Sequence, residues 1–381
     1  MEKVPLDELI EMIEKENDEK RQALAIKRQE AVQNNIEPDY IPIVLYGKAP
    51  EIEKFPSCDM KQQFYDPEKM LYTQLWGCLS VLRGKGDNIP CVRVNFGTGF
   101  LATIFGLKQE IFPDKMPWLK EHLDKNEILK LKAEDFEPVE KKGLMPDWIR
   151  YTEFYKKKLE DIPFVKIYLS DTQGVFDLAH LIAGDRIFTE FFDDEKFVEH
   201  ILTLTTYVYV SASSFMKGFI GEPLSQGFHS GIFMASAGVR TCDDTTTLLS
   251  PELFKKVYPY FEKSISKFGA FLHFCGSGSH LMEFFLQCPY IKIINFGNPE
   301  RFDWKDTMKA IAQSGKTYFG TVKRFEKESL SDYFMRVLEP LERKGNLIFV
   351  PQIFAGEEPE QVIEIWHSLQ DKKFSRKKER L

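Results

Sequence analysis

Short apolar runs rich in β-branched and aromatic residues recur down this chain, and longer segments of helical spacing separate them. Eight runs can be read in order: IPIVLYG (41 to 47), CVRVNFG (91 to 97), FVKIYLS (164 to 170), LSQGFH (224 to 229), AFLHFC (270 to 275), IKIINF (291 to 296), KTYFGT (316 to 321) and NLIFVP (346 to 351). Strands alternating with helices assemble as βαβ units around a parallel sheet. Eight of them predict an α/β fold, a single (β/α)8 TIM barrel, with a doubly wound open sheet as the competing arrangement. The fourth run, LSQGFH, carries the weakest strand signal. Helix signals fall between the runs. Ser250 can cap, Pro251 suits the first helical position and Gly269 can close a helix over 252 to 268. Similar patterns predict helices at about 281 to 288, 303 to 314, 329 to 344 and 358 to 370.

Residues 1 to 40 are charge-rich, with Leu9, Ile10, Ile13, Leu24 and Ile26 at roughly helical spacing, and read as an N-terminal helical extension. Residues 41 to 381 form the barrel. A charged stretch at about 110 to 160, punctuated by Pro113, Pro117, Pro138 and Pro146, reads as an insertion on its surface. The 381 residues are 43% hydrophobic and 14% aromatic, enough to bury a sizeable core. With 51 basic against 58 acidic residues, the formal charge of −7 argues against nucleic acid as a partner. The basic run from Lys372 to Arg380 reads as a solvated terminus. No apolar stretch approaches the ~18 residues that cross a bilayer, so no membrane partner is expected. Six cysteines and no apolar leader point to a reducing cytoplasm.

In a barrel of this kind, chemistry sits where the strands run out. The strand ends here offer Asn95, Asp171, His229, His273, Cys275, Asn295, Asn298 and Gln352. Taken singly, such residues are common turn formers. His273 and Cys275 form a sharper pattern, because residues i and i+2 of a strand point the same way; Phe271, His273 and Cys275 share one face. Imidazole and thiolate are zinc ligands, and the Gly276 to Gly278 turn leaves room beside them. The same pattern also describes a buried histidine beside an inert core cysteine. Asp243 and Asp244 precede the Ser250 cap. There they complement the helix dipole, or one reaches into the mouth to orient a ligand or act as a base. NFGTGF lacks the spacing of a dinucleotide loop.

The run from VFDLAHLIAG through LLSPELFKKVYPYFEKSISKFGAFLHFCGSGSHLMEFF to IKIINFG resembles the uroporphyrinogen decarboxylase superfamily. Its H-x-C-G strand end is similar to that of the zinc-dependent corrinoid methyltransferase branch. The resemblance spans about 41 to 356 and implies a barrel with its site at the C-terminal mouth, and zinc on His273 and Cys275. That branch takes a third ligand from a Cys after the last strand, where this chain reads VPQIFAGEEPE with Gln352 near the corresponding place. Cys242, Asp244, His280 and Glu357 are the candidates to replace it. The decarboxylase branch carries an arginine-rich signature after its first strand, and this chain reads VLYGKAPEIE. Only 13 of the 51 basic residues are Arg.

The expected function is therefore zinc-dependent methyl transfer between a corrinoid, held by a small partner protein docked over the mouth, and a small thiol or methylated substrate. Asp244 and Asp171 are the expected catalytic residues, with Asn95, His229, Asn295 and Gln352 against the substrate. A tetrapyrrole decarboxylase and a non-catalytic ligand-binding barrel are the alternatives.

Overall fold

The computed structural model describes residues 4–47 and 57–378. Part of the loop after the first run, where a decarboxylase would carry its arginines, lies outside the described residues. The fold is α/β, centred on a five-stranded sheet in the order Leu347–Phe349, Thr317–Gly320, Ile291–Phe296, Ala270–Phe274, Val239–Cys242. Every pair in it is parallel. Pairing continues beyond both edges. Ile43 bridges to Phe349, and Gln173 bridges to Cys242. Cys91–Val92 pairs in parallel with Lys166–Ile167.

The expected ring of eight ladders is not complete. Among the described residues no ladder joins the 43 to 45 segment to Cys91–Val92, and side chains stand in for one. The Asp87 carboxylate accepts from Ile43 N at 2.9 Å, while Asn88 accepts from Leu45 N at 3.3 Å and donates to Leu45 O at 2.6 Å. The first run contributes only its bridge at Ile43, because Pro42 has no N–H to offer a ladder.

The fourth run is the second departure. Gly227–His229 pairs antiparallel with Ile232–Met234, turning through Ser230 and Gly231 at φ 45° and 84°. Two consecutive positive φ values mark a primed two-residue hairpin turn. The place in the parallel sheet belongs to Val239–Cys242, whose polar residues hid it.

Both faces of the sheet are buried. Leu272, Phe274, Ile294 and Phe296 join the large core. Val44, Phe271, Ile293, Phe319 and Ile348 form an inner cluster with Ile232 and Met234 of the hairpin. The N-terminal extension is part of this architecture. Leu9 and Ile13 of Leu6–Lys15 are fully buried, and that helix contacts Pro67–Arg83. Helix Glu19–Gln33 contributes Val32 to the inner cluster, and Val32 O accepts from Thr317, the first residue of its strand. Helix and hairpin thus floor the inner space where the strands begin. Gln29 and Gln33 bind the hairpin backbone at Phe233 and Ala235.

Helices follow the expected pattern closely. Pro251–Ile265 starts at Ser250, whose hydroxyl accepts from Leu253 N at 3.3 Å. Met282–Gln287, Trp304–Gln313, Leu330–Leu338 and Pro359–Lys378 occupy the other intervals. Within the charged 110 to 160 stretch, Met145–Lys158 buries Trp148, Tyr151 and Tyr155 and leads into Lys166–Ile167. No helix among the described residues is long and apolar enough to cross a membrane.

One buried charge fastens the hairpin to the long helix Glu195–Ile220. Lys217, fully buried, donates to Glu222 at 2.7 Å and to the carbonyls of Gln226 and Gly238 at 2.7 and 2.8 Å. Glu222 in turn accepts from Phe228 N. Removing one partner of a buried pair strands the other charge. Lys217→Ala should therefore cost about 3–5 kcal/mol of stability, read from urea denaturation. A loss under ~1 kcal/mol, within the range of ordinary surface substitutions, would show that the latch contributes nothing.

Candidate functional site

The parallel register sets Cys242 opposite His273 and His273 opposite Asn295 on three neighbouring strands. Phe271 and Ile293, two residues earlier on the latter strands, belong to the inner cluster, so His273 and Asn295 point into the same interior. Asn295 accepts from His273 Nδ1 at 2.5 Å and donates to Phe319 O at 2.6 Å. The Phe319 contact fixes the amide with its oxygen toward the ring. That oxygen in turn selects the tautomer with a proton on Nδ1 and a lone pair on Nε2. Nε2 faces Cys275 Sγ at 3.6 Å and an Asp244 oxygen at 4.0 Å. Burial, and then the nearby Arg240 charge, push the imidazole below its usual pKa and keep it neutral.

Asp244 is drawn to this point by accepting from Cys275 N at 2.6 Å. Ligand atoms of Cys242, Asp244 and His273 all lie within 4.8 Å of one another. Cys275 is the exposed member of the group. Gly297 gives its sulfur room, since a Cβ there would come within 2.4 Å of Sγ. An imidazole with a free lone pair, the Cys242 thiol and the Asp244 carboxylate converge, with the Cys275 thiol beside the ring nitrogen, and this set could hold a divalent ion that accepts N, S and O donors.

Two more acids lie behind the loop that carries Asp244. Asp243 accepts from Thr241 Oγ1 at 2.7 Å, and Asp177 accepts from the amides of Thr245 and Thr246 at 3.1 Å each. Burial raises both carboxyls, Asp177 well above the usual range and Asp243 to about 7, each aided by a neighbouring carboxylate. The pair thus carries fewer than two charges near neutrality.

Asp171 sits between two guanidiniums, 2.8 Å from Arg240 and 3.8 Å from Arg93. Arg240 is two residues before Cys242, and Arg93 is two before Asn95. Sequence reasoning missed both arginines and Asp177. The signal was present as a charge in the middle of each otherwise apolar run, VRV, GVRTC and VFDLA, which marks a side chain turned inward.

Other expected residues are committed elsewhere. Asn295, expected against substrate, orients His273. His229 belongs to the hairpin and is buried between Tyr168 and Phe271. Burial, with Arg240 and Arg93 adding to it, holds its ring neutral. The Asn95 carboxamide accepts from Gly97 N within its own turn. Gln352 accepts from Arg324 N, and Glu357 is paired twice with the Arg324 guanidinium. His280 contacts Leu249 O through Nε2. Of the four candidates for a third ligand, Cys242 and Asp244 are therefore the two that reach His273.

The chain matches no protein-family profile and no curated protein. Among solved structures it is similar to a methyltransferase from Methanosarcina mazei, with a TM-score of 0.61 at 14% identity over 91% of this chain and 98% of that one. At that identity the likeness is one of fold.

Burial, and then the Asp244 charge, raise the Cys275 thiol to about 11. With any metal chelated away, its thiolate fraction at neutral pH is about 100-fold below that of an ordinary cysteine. The greater nucleophilicity of a high-pKa thiolate restores about 10-fold, so iodoacetamide should label Cys275 about 10-fold more slowly than glutathione. The rate should climb with pH up to about 11. Asp244→Asn should speed labelling by removing the charge that opposes the thiolate. Peptide mapping by mass spectrometry reads both effects, and labelling of Cys275 at the glutathione rate would contradict this electrostatic picture.

Proposed function

We propose that this protein is a zinc-dependent methyltransferase of the uroporphyrinogen-decarboxylase-like class, moving a methyl group between a corrinoid on a small partner protein and a small thiol or methylated substrate. The observation that carries the reading is the convergence of Cys242, Asp244 and His273 at neighbouring strand ends, with Cys275 Sγ 3.6 Å from His273 Nε2. We read the eight parallel segments as a (β/α)8 barrel whose first strand is joined through side chains, and the likeness of fold to a methyltransferase supports this. Six cysteines, none in a disulfide, suit a reducing cytoplasm.

The donor set fits zinc in type and number: His273 and Cys275 would hold it, with Cys242 or Asp244 completing the protein ligands. Bound there, zinc would supply Lewis acidity that lets a thiol be deprotonated near neutral pH. The chain's own groups do the rest. Asn295 keeps His273 Nε2 free of its proton. Asp244 holds the Cys275 backbone in place, and Gly297 clears the space for its sulfur. Arg240, paired with Asp171, partly offsets the burial and the carboxylate charge that keep the two thiols protonated when no metal is bound. Leu248, Phe325 and Phe354, on loops that follow three strands, are 71%, 56% and 44% exposed and offer apolar contacts to a docked partner.

The Arg93–Asp171–Arg240 cluster also favours a second reading, decarboxylation of a tetrapyrrole acetate, since guanidiniums bind carboxylates. Two arginines sharing one aspartate fall short of a polyanion cleft.

Purified protein should contain about one zinc per chain by elemental analysis. Cys275→Ala and His273→Ala should each weaken zinc binding at least ~10-fold, while Gln352→Ala should not. Methyl transfer between methylcobalamin and a panel of thiols should be detectable and lost in Cys275→Ala. Metal-free protein that releases CO2 from uroporphyrinogen would replace this reading with the decarboxylase. Metal-free protein inert in both assays would leave a binding barrel.

A further inference from the structure

The segment that follows Cys91–Val92 and the short helix Met60–Tyr65 line an open cavity of about 550 Å3. Its floor is apolar, built from Phe64, Ile104, Leu107, Ile111 and Leu144. Phe64, Ile104 and Leu107 are buried in the core, so the floor is fixed before anything binds. The volume and lining are those of a small-molecule pocket.

The rim is what distinguishes it. Lys108, Lys120, Lys141 and Lys142 line the cavity, and no carboxylate does. In a chain with seven more acidic than basic residues, four ammonium groups gather here without a counter-charge. Among the described residues none of the four forms an ion pair, whereas Lys85, Lys125, Lys158, Lys217 and Lys305 do. The lysine turn is also held in place. Gly143, at φ 51°, packs so closely on Thr103 that a Cβ would lie 2.4 Å from Oγ1, and Leu144 N donates to that same oxygen at 3.0 Å. Lys141 and Lys142 are thereby presented from a fixed turn.

An apolar floor ringed by unpaired ammonium groups is complementary to a molecule with an apolar body and an anionic head. We infer that this cavity is a binding site for an amphipathic organic anion of the acyl-carboxylate class, separate from the donor cluster at the strand ends. The ammonium groups would supply charge-assisted hydrogen bonds to the head group, and the floor would take the chain.

The test uses the full chain and a fluorescent probe, dansyl-undecanoate, displaced by dodecanoate or by dodecanol. Saturable binding at one probe per chain is expected. Dodecanoate should displace it at least ~10-fold more effectively than dodecanol, the margin that a charged contact gives over a neutral one. The paired substitutions Lys141→Gln and Lys142→Gln should weaken probe binding by about tenfold, with thermal stability and zinc content unchanged. Because no lining residue of the cavity belongs to the donor group, loss of zinc or of methyl transfer bears on the earlier proposal alone. Equal displacement by dodecanol, full binding by the lysine variant, or association only with anionic phospholipid vesicles would overturn the assignment.

Discussion

The register of two parallel ladders governs everything at the strand ends. Cys242, His273 and Asn295 are side by side because Val239–Cys242, Ala270–Phe274 and Ile291–Phe296 pair as they do. An offset of one residue in either ladder would turn a donor to the opposite face and bring a core residue such as Leu272 or Ile294 inward. Burial on both faces makes that slip costly, since Phe271 and Ile293 would leave the inner cluster at the same time. The chemistry is thus held by hydrophobic burial two residues away from it. Polar contacts then refine the arrangement, as Asn295 does for the His273 ring and Asp244 for the Cys275 turn.

The loop after Val239–Cys242 shows how a polar interior is kept in shape. Asp177, in the helix Val175–Ala183, receives the amides of Thr245 and Thr246, so the 3-10 turn that follows Asp244 is tied to a neighbouring helix. Gly174 lies against Asp243 with so little clearance that a Cβ would meet its carboxylate. Two carboxyls buried together would repel each other if both were ionised, and their raised pKa values express that conflict. Asp244, between this pair and the donor group, reaches the interior because the rest of its loop is pinned.

Much of this was legible in the sequence. Strict alternation along FLHFC placed His273 and Cys275 on one face without any knowledge of the neighbouring strands, and Asp243 and Asp244 stood out beside a clear helix cap. What escaped reading depended on competing local rules or on distant partners. LSQGFH ends at His229, so the Ser230–Gly231 turn and the returning strand Ile232–Met234 fell outside the run and the hairpin went unread. VRTC looked too polar for a central strand because its polar side chains face a polar interior. Gln352 occupied a plausible position, yet Arg324, 28 residues earlier, accounts for it, and no local pattern reports such a pairing. The pairing of Arg93, Asp171 and Arg240 is a property of the tertiary arrangement and of no single segment.

The junction between the 43 to 45 segment and the second strand has no ladder: side chains make most of it, beside one backbone bond from Asp87 N to Ile43 O at 2.6 Å. Arg28 reaches it from the N-terminal helix, pairing with Asp39 at 2.6 Å and Asp87 at 2.9 Å, while the other oxygen of Asp87 holds Ile43 N. Burial raises the Asp87 carboxyl, so its hold on Ile43 depends on the cation supplied by that helix. Following the order of pairing around the core, this junction lies on the far side from the Val239–Cys242 and Ala270–Phe274 strands. This junction is in effect a clasp, and helix Glu19–Gln33 is its pin. Ile43, Leu45, Asp87 and Asn88 are all buried, so water does not compete for the bonds that close the clasp, and polar side chains do there what a backbone ladder does elsewhere in the sheet.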